Sequence, residues 1–306
     1  MKPTWIDLQI NGYAGVDFNS RDLSVAGVVA VTKKLAAAGT AGYLPTIITG
    51  APDKVVRNLR VIVAARKKSA ECRKRILGVH LEGPFISPVP GCVGAHDPKY
   101  VSKPDFKLYR KFQDAADGLV KLMTIAAEIK GAPDLCRALT ADGVVVSCGH
   151  QAATSGVQLE RMADSGAKAL THLGNGIPNM IHRRENIIWE GLACDRLSVM
   201  FIPDGHHLTM AMLKVYTRAV PLERLVAVTD CSHPGGLKPG RYFALGNHAV
   251  LEPDGLLHNP QKGCLVGSTA TMQQVVDVLR SPAVGVTARE ANVIAHDNPL
   301  KLIGLD

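Results

Sequence analysis

The chain alternates short apolar runs with longer stretches in which apolar residues recur at helical spacing. Trp5-Ile6-Asp7-Leu8-Gln9-Ile10 reads as a first strand, with Asn11-Gly12 as its turn. Val25 to Ala38 carries Val, Ala and Leu at helical spacing and stops at Gly39. A second strand, Gly42 to Ile48, is followed by a helix from about Pro52 to Lys68. The third strand is read as Arg75 to Leu81, closed by Gly83-Pro84, since proline lacks the N–H that a ladder needs. The Gly/Pro-rich stretch from Gly83 to Pro104 is too long for a plain connector and is a functional-loop candidate. Strands are predicted next at Val120–Ala126, Gly143–Cys148, Ala167–His172, Leu197–Ile202 and Leu225–Thr229, and helices at Pro133–Ala141 and Val157–Ser165.

Eight strands with helical segments between them predict an α/β chain with a parallel sheet. The count of eight favours a closed (β/α)₈ barrel of the TIM type. We read residues 1–306 as a single barrel domain. A β-hairpin insertion at about 241–267 is marked by the Asp254-Gly255 turn, and helices follow at about Ser268–Leu279 and Ala288–Ala295.

Composition narrows the class. Apolar residues are 46% and charged residues 20%, ordinary for a globular enzyme, and no apolar run reaches the length of a membrane helix. The first residues, Met1 to Asp7, place an acid where a signal peptide carries its apolar stretch, so a cytoplasmic location is expected. Seven cysteines without a C-x-x-C pair fit reduced thiols, and Cys148 and Cys231 stand near His150 and Asp230. The net charge of +8 raises the question of nucleic acid. Its densest cluster, Arg66-Lys67-Lys68 with Arg73-Lys74-Arg75, lies at a helix end without interleaved aromatics for base stacking. No nucleic-acid or membrane partner is expected; an anionic small-molecule substrate is.

The chemistry lies at the strand ends. The third, fifth, sixth, seventh and eighth strands finish at Glu82, His150, His172, His207 and Asp230. In a parallel barrel these ends open on one face, where such enzymes do their chemistry. Any one of these residues alone would be read as a satisfied core or surface group. Together, one carboxylate and two imidazoles suit Zn²⁺ or another borderline divalent metal with a position left for water, and Asp230 is placed to shuttle a proton. Gln9, Asn11, Gly176 and Gly267 are weaker signals taken singly, and Arg183 and Arg184 read as solvated loop charges.

In order along the chain stand Asp7-Leu8-Gln9-Ile10-Asn11-Gly12, His80-Leu81-Glu82-Gly83-Pro84, Gly94-Ala95-His96, Gly149-His150 and Thr171-His172-Leu173. Asp204-Gly205-His206-His207, Val228-Thr229-Asp230 and Gly267-Ser268 complete the set. This series resembles the amidohydrolase superfamily and, within it, the N-acetylglucosamine-6-phosphate deacetylases. The resemblance implies metal ligands Glu82, His150 and His172, with Asp230 as general base and then acid. His96 would stabilise the acyl oxygen. His207 and the Asn175-Gly176 backbone would hold a sugar phosphate, with Gly267 and Ser268 also at the substrate. Arg183 aligns with an arginine lent to a neighbouring subunit's phosphate site, which implies a homodimer.

The superfamily's strand-one His-x-His is here Gln9-Ile10-Asn11, which implies one metal per chain: Zn²⁺ first, with Fe²⁺, Mn²⁺ or Co²⁺ as alternatives. After His172-Leu173 the chain has Gly174-Asn175-Gly176-Ile177 where the family has an aromatic and Asn-Ala-Met. The family's small β-sandwich, built from both termini, is expected to be absent, because Met1 lies just before the first strand and the sequence ends at Asp306. The expected activity is hydrolysis of the N-acetyl amide of an amino sugar, N-acetylglucosamine 6-phosphate first. The alternatives are another N-acyl substrate, or a catalytically silent barrel that binds a sugar phosphate.

Overall fold

The computed structural model describes residues 4–305; Met1 to Pro3 and Asp306, with the two ends of the expected domain, lie outside the described residues. Eight parallel strands run β1 (Trp5–Ile10), β2 (Thr40–Ile48), β3 (Val79–Glu82), β4 (Val120–Ile125), β5 (Val145–Cys148), β6 (Ala169–Leu170), β7 (Ser198–Phe201) and β8 (Leu225–Ala227). Each is hydrogen-bonded to its sequence neighbour, so the order in the sheet is the order in the chain. The last strand meets the first just beyond its end: Asp230 N–H donates to Gln9 O at 2.9 Å, and Asn11 N–H donates to Cys231 O at 2.7 Å. The expected (β/α)₈ barrel is therefore the observed fold.

A helical segment covers every crossover: α1 (Val25–Ala37), α2 (Pro52–Lys68) with α3 (Ala70–Arg75), α4 (Phe106–Ala115), α5 (Ala132–Ala141), α6 (Gly156–Asp164), α7 (Ile187–Ala193) and α8 (Met210–Ala219). Strand alternation sorts the core into two shells. Leu8, Leu44, Leu122, Met200 and Val226 point into the barrel, while Leu81, Met123, Val146, Val199 and Ala227 pack outward under the helices. Above the inner apolar layer, Thr124 and Thr171 hydroxyls meet at 2.8 Å, Thr171 donates to Ser147 at 2.6 Å, and His80 Nε2 lies 2.8 Å from Thr124 Oγ1. Two residues further along β3 the same face presents Glu82 at the barrel mouth.

The third strand is shorter than expected and starts later. Ser69 caps α3 by accepting the Cys72 N–H, and Arg75 pairs with Glu71 one turn back, so residues 70–75 are helical. Besides α3, three more of these crossover helices escaped the sequence reading. The first, α4, has a clear start, since Asp105 accepts the N–H groups of Lys107 and Leu108 and the helix buries Tyr109 and Phe112. The others, α7 and α8, are short and open in polar segments that read as loop.

The segment expected to form one hairpin is a four-stranded antiparallel sheet: β9 (Gly240–Ala244), β10 (Asn247–Leu251), β11 (Leu257–Asn259) and β12 (Cys264–Leu265). It has its own small apolar core of Ala244, Leu245, Ala249, Leu251, Leu257 and Val266, to which β2 contributes Ile48. Three helices, α9 (Met272–Arg280), α10 (Ala288–Asn292) and α11 (Asn298–Leu302), follow, with a π-helical turn at Val293–Asp297.

Candidate active site

Glu82, His150, His172 and Asp230 come from the ends of β3, β5, β6 and β8. His150, His172 and Asp230 have φ of +49°, +29° and +52°, a left-handed conformation that non-glycine residues seldom adopt. It turns each chain out of its strand and aims the side chain across the mouth. All four line a cavity of about 820 Å³, together with His96, Asn175, Gly176, His207 and Gly267.

Glu82 Oε1 lies 3.1 Å from His150 Nε2 and 2.8 Å from His172 Nε2, and the two nitrogens are 3.1 Å apart. His150 Nδ1 is 2.6 Å from the carbonyl of Cys92, so that nitrogen carries the proton. The neutral ring then offers Nε2 as a bare lone pair, facing the carboxylate. Acceptor opposes acceptor, an arrangement that is stable only with a proton or a cation between them. The separations are close to the edge of about 3.3 Å expected between ligands held about 2.0 Å from a tetrahedral ion. The one carboxylate and two imidazoles are, among the described residues, the group with metal-ligand spacing. Burial alone would lift the Glu82 carboxyl; His150 and then His172 hold it well below the usual range. Burial likewise opposes charge on His150, yet the Glu82 carboxylate raises its pKa.

His96 reaches the same point from the long loop. The Thr49 N–H donates to its Nδ1 at 3.3 Å, so the proton of the neutral ring sits on Nε2, 3.7 Å from Glu82 Oε2. Burial and the neighbouring His150 hold His96 well below the ordinary imidazole pKa. It is thus a neutral donor aimed at the centre.

Asp230 Oδ1 accepts from Asn11 Nδ2 at 2.7 Å and from Gln9 Nε2 at 3.1 Å. Burial, then repulsion from Glu82, raises its pKa to about 6. Such a carboxylate is a stronger base than a solvated aspartate but remains ionised at neutral pH. Gly267 allows the backbone to pass beneath it: a Cβ there would sit 2.5 Å from Asp230 O.

His207 is held at Nδ1 by Asp204 Oδ2 at 2.7 Å, while Asp204 Oδ1 accepts the N–H groups of His206 and His207. Against burial, this carboxylate raises the His207 pKa. Asn175 is anchored by its N–H to His172 O at 2.9 Å. Gly176 lies so close to His150 that a Cβ would stand 2.9 Å from Nδ1.

Two expected substrate residues lie elsewhere. Ser268 is buried, with its hydroxyl committed to Thr229 O at 2.5 Å, and does not line the cavity. Arg183 is exposed and also stays outside its own chain's cavity. Conversely, sequence reasoning passed over Thr49 and the Cys92 carbonyl and gave Asp204 no role, although it stands in the Asp204-Gly205-His206-His207 segment; all three orient site histidines. Thr49 sits one residue past the predicted second strand, and a backbone carbonyl leaves no sequence signal. Cys148 and Cys231 are buried thiols whose pKa values are pushed far up by burial, so they serve as packing groups.

No protein-family model matches this chain. The N-acetylglucosamine-6-phosphate deacetylase of Bacillus subtilis (strain 168) is 32% identical over 306 residues, spanning 99% of this chain and 75% of the relative. The N-acetylgalactosamine-6-phosphate deacetylase of Escherichia coli O157:H7 is 30% identical, over 99% of this chain and 78% of the relative. Among solved structures, N-acetyl-D-glucosamine-6-phosphate deacetylase from Mycobacterium smegmatis superposes with a TM-score of 0.89 at 28% identity, covering 99% of this chain and 78% of that one. A mutant of that enzyme has been solved in complex with N-acetyl-D-glucosamine-6-phosphate. With this identity over nearly its whole length, and a barrel mouth that gathers one glutamate and two histidines at metal-binding distance, the chain belongs to the N-acetylglucosamine-6-phosphate deacetylase family of metal-dependent amidohydrolases.

Proposed function

We propose that this protein hydrolyses the N-acetyl amide of N-acetylglucosamine 6-phosphate, giving glucosamine 6-phosphate and acetate. The observation that carries the reading is the convergence of Glu82, His150 and His172 with a neutral His96 and a basic Asp230 on one cavity. Glu82 Oε1 and the Nε2 atoms of His150 and His172 would hold one divalent cation, Zn²⁺ first. When bound, such a cation polarises the acyl oxygen and makes water a nucleophile at neutral pH.

The chain's own residues carry the remaining steps. Asp230 Oδ2, the oxygen that Gln9 and Asn11 leave free, takes the proton of the attacking water. His96 Nε2–H donates to the acyl oxygen as it gains charge in the tetrahedral intermediate. Asp230 then returns the proton to the departing amine, which prevents expulsion of an amide anion. His207, held by Asp204, and the backbone at Asn175-Gly176 would face the sugar phosphate. Arg183, exposed on its own subunit, would complete that subsite in a partner, so the reading includes a homodimer; it also includes a cytoplasmic location.

The test is amine release from N-acetylglucosamine 6-phosphate, its galacto epimer, and both unphosphorylated sugars, using metal-loaded protein. Turnover of a 6-phosphorylated sugar is expected to exceed that of its neutral counterpart. Absence of turnover on every member would leave the silent sugar-phosphate barrel as the reading.

A further inference from the structure

The sheet β9–β12 brings to the cavity a cation with no role so far. Asn259, at the end of β11, accepts the N–H groups of Gln261 at 3.0 Å and Lys262 at 3.2 Å on its Oδ1. The Gly263 N–H returns to Asn259 O at 2.9 Å, which closes a tight turn. From that turn Lys262 Nζ donates to Asn247 Oδ1 at 2.7 Å. Asn247 is 2% exposed and fully engaged. Its Oδ1 also accepts from Asn259 Nδ2 at 3.2 Å, and its Nδ2 donates to Leu245 O at 2.9 Å and to Ala95 O at 2.8 Å.

The ammonium is therefore fixed by a neutral amide, and among the described residues no carboxylate forms an ion pair with it. Its charge stays uncompensated, and two of its three N–H donors remain free. Lys262 borders the cavity and is the only lysine or arginine among the described residues that does so. An ammonium pinned in this way is a receptor for a compact anion, and the phosphate ester is the anion that the substrate offers.

We infer that Lys262 binds the phosphate group of the substrate, and that Asn247 is its positioning residue. The inference rests on the deacetylase reading and adds to it a phosphate contact from the chain's own sheet. It also links two parts of the site. The asparagine that aims Lys262 holds the Ala95 carbonyl, next to His96, so the anion receptor and the acyl-oxygen donor share one anchor.

The experiment compares wild type, Lys262→Met and Lys262→Arg as metal-loaded proteins. Steady-state kinetics are run on N-acetylglucosamine with and without the 6-phosphate, and glucosamine 6-phosphate binding is measured by calorimetry. In Lys262→Met, KM for the phosphorylated substrate is expected to rise by about 10- to 100-fold, the value of a charge-assisted hydrogen bond. Its kcat should change little, the neutral sugar should be unaffected, product affinity should fall in parallel, and Lys262→Arg should recover much of the loss. An unchanged KM, or equal losses on both sugars, overturns the assignment. Should wild type turn over neither sugar, the deacetylase reading fails separately. Calorimetry still decides on Lys262, because sugar-phosphate binding that is absent in wild type, or unaltered in Lys262→Met, counts against it.

Discussion

Gln9 donates to Asp230 at 3.1 Å, and the same amide nitrogen donates to Glu82 Oε1 at 2.8 Å. One side chain on β1 thus spans the two carboxylates of the site and spends both its hydrogens on them. An amide nitrogen with no lone pair is no metal ligand, so the β1 side of the mouth offers no second imidazole pair. Metal analysis should give about one divalent ion per chain. Glu82→Gln, His150→Ala and His172→Ala should each reduce it sharply. Two tightly bound ions in the native protein, or full occupancy in His172→Ala, would defeat the ligand set.

Asp230→Asn tests the proton carrier. Asparagine keeps the shape, tolerates a positive φ, and can still accept from Asn11, so metal content and melting temperature should stay near native. Its kcat should fall by about 10²–10⁴, as is usual for loss of a positioned acid–base group. The wild-type rate needs the ionised carboxylate and therefore falls as pH drops through its pKa. That limb should lie at or below about 6, because a cation at Glu82 would pull the raised value down. The limb should vanish in the variant. Near-native kcat in a folded, metal-bound Asp230→Asn would end its assignment as base.

Arg183→Ala separates a role in the neighbour's site from a solvated charge. Its exposure predicts an unchanged melting temperature. Binding of a phosphorylated substrate should weaken by about 1.5–3 kcal/mol, with a neutral analogue spared. Mixing Arg183→Ala with a Glu82→Gln chain should restore a fraction of normal sites if the arginine acts across subunits. No difference between the two substrates would return Arg183 to the surface.

The pair Asp204 and His207 predicts a pH signature in stability. Burial raises the Asp204 carboxyl, and the bonded His207 more than reverses this, leaving it below 3.8. Its contribution is present above about pH 4 and is lost as pH falls through the folded value. The His207 pKa is raised above 6.5, so its contribution is complete below that value and fades as pH rises through the folded one. Asp204→Asn keeps the shape and removes the charge. Its melting temperature should fall most at about pH 5–6, by the equivalent of about 1.5–3 kcal/mol, and recover toward wild type as pH rises through the folded His207 value. A deficit independent of pH would mean that packing, not charge, matters at Asp204.

Much of the barrel was legible because buried parallel strands are continuous apolar runs and the site residues sit at their ends. Trp5–Ile10 and Pro52–Lys68 match the reading at both ends. The third strand was misplaced because Ile76-Leu77-Gly78 is apolar yet follows a capped helix, and period alone does not distinguish the two. The same limit hid α7 and α8, whose apolar stripes are short. At the site, the candidate ligands Glu82, His150 and His172 stood out by type and position, and the structure brings them together. Their supports did not stand out: the role of Cys92 is a carbonyl, and Asn247 lies 152 residues from the Ala95 it holds. Gln9 and Asn11, read in the sequence only as standing where the superfamily has its His-x-His, gained their contact with Asp230 once folding placed them there.

The contact between the first and last strands has a consequence for how this protein breathes. The barrel is sealed by Asp230 N–H on Gln9 O and by Asn11 N–H on Cys231 O, and the side chains of Gln9 and Asn11 also donate to the Asp230 carboxylate. The seam and the proposed base are the same few residues. A fluctuation that parts β1 from β8 therefore disarms the enzyme while the other seven strand contacts remain intact. Loss of activity on warming should precede global melting, and should track faster amide exchange at Asn11 and Asp230 rather than in the strands on the far wall.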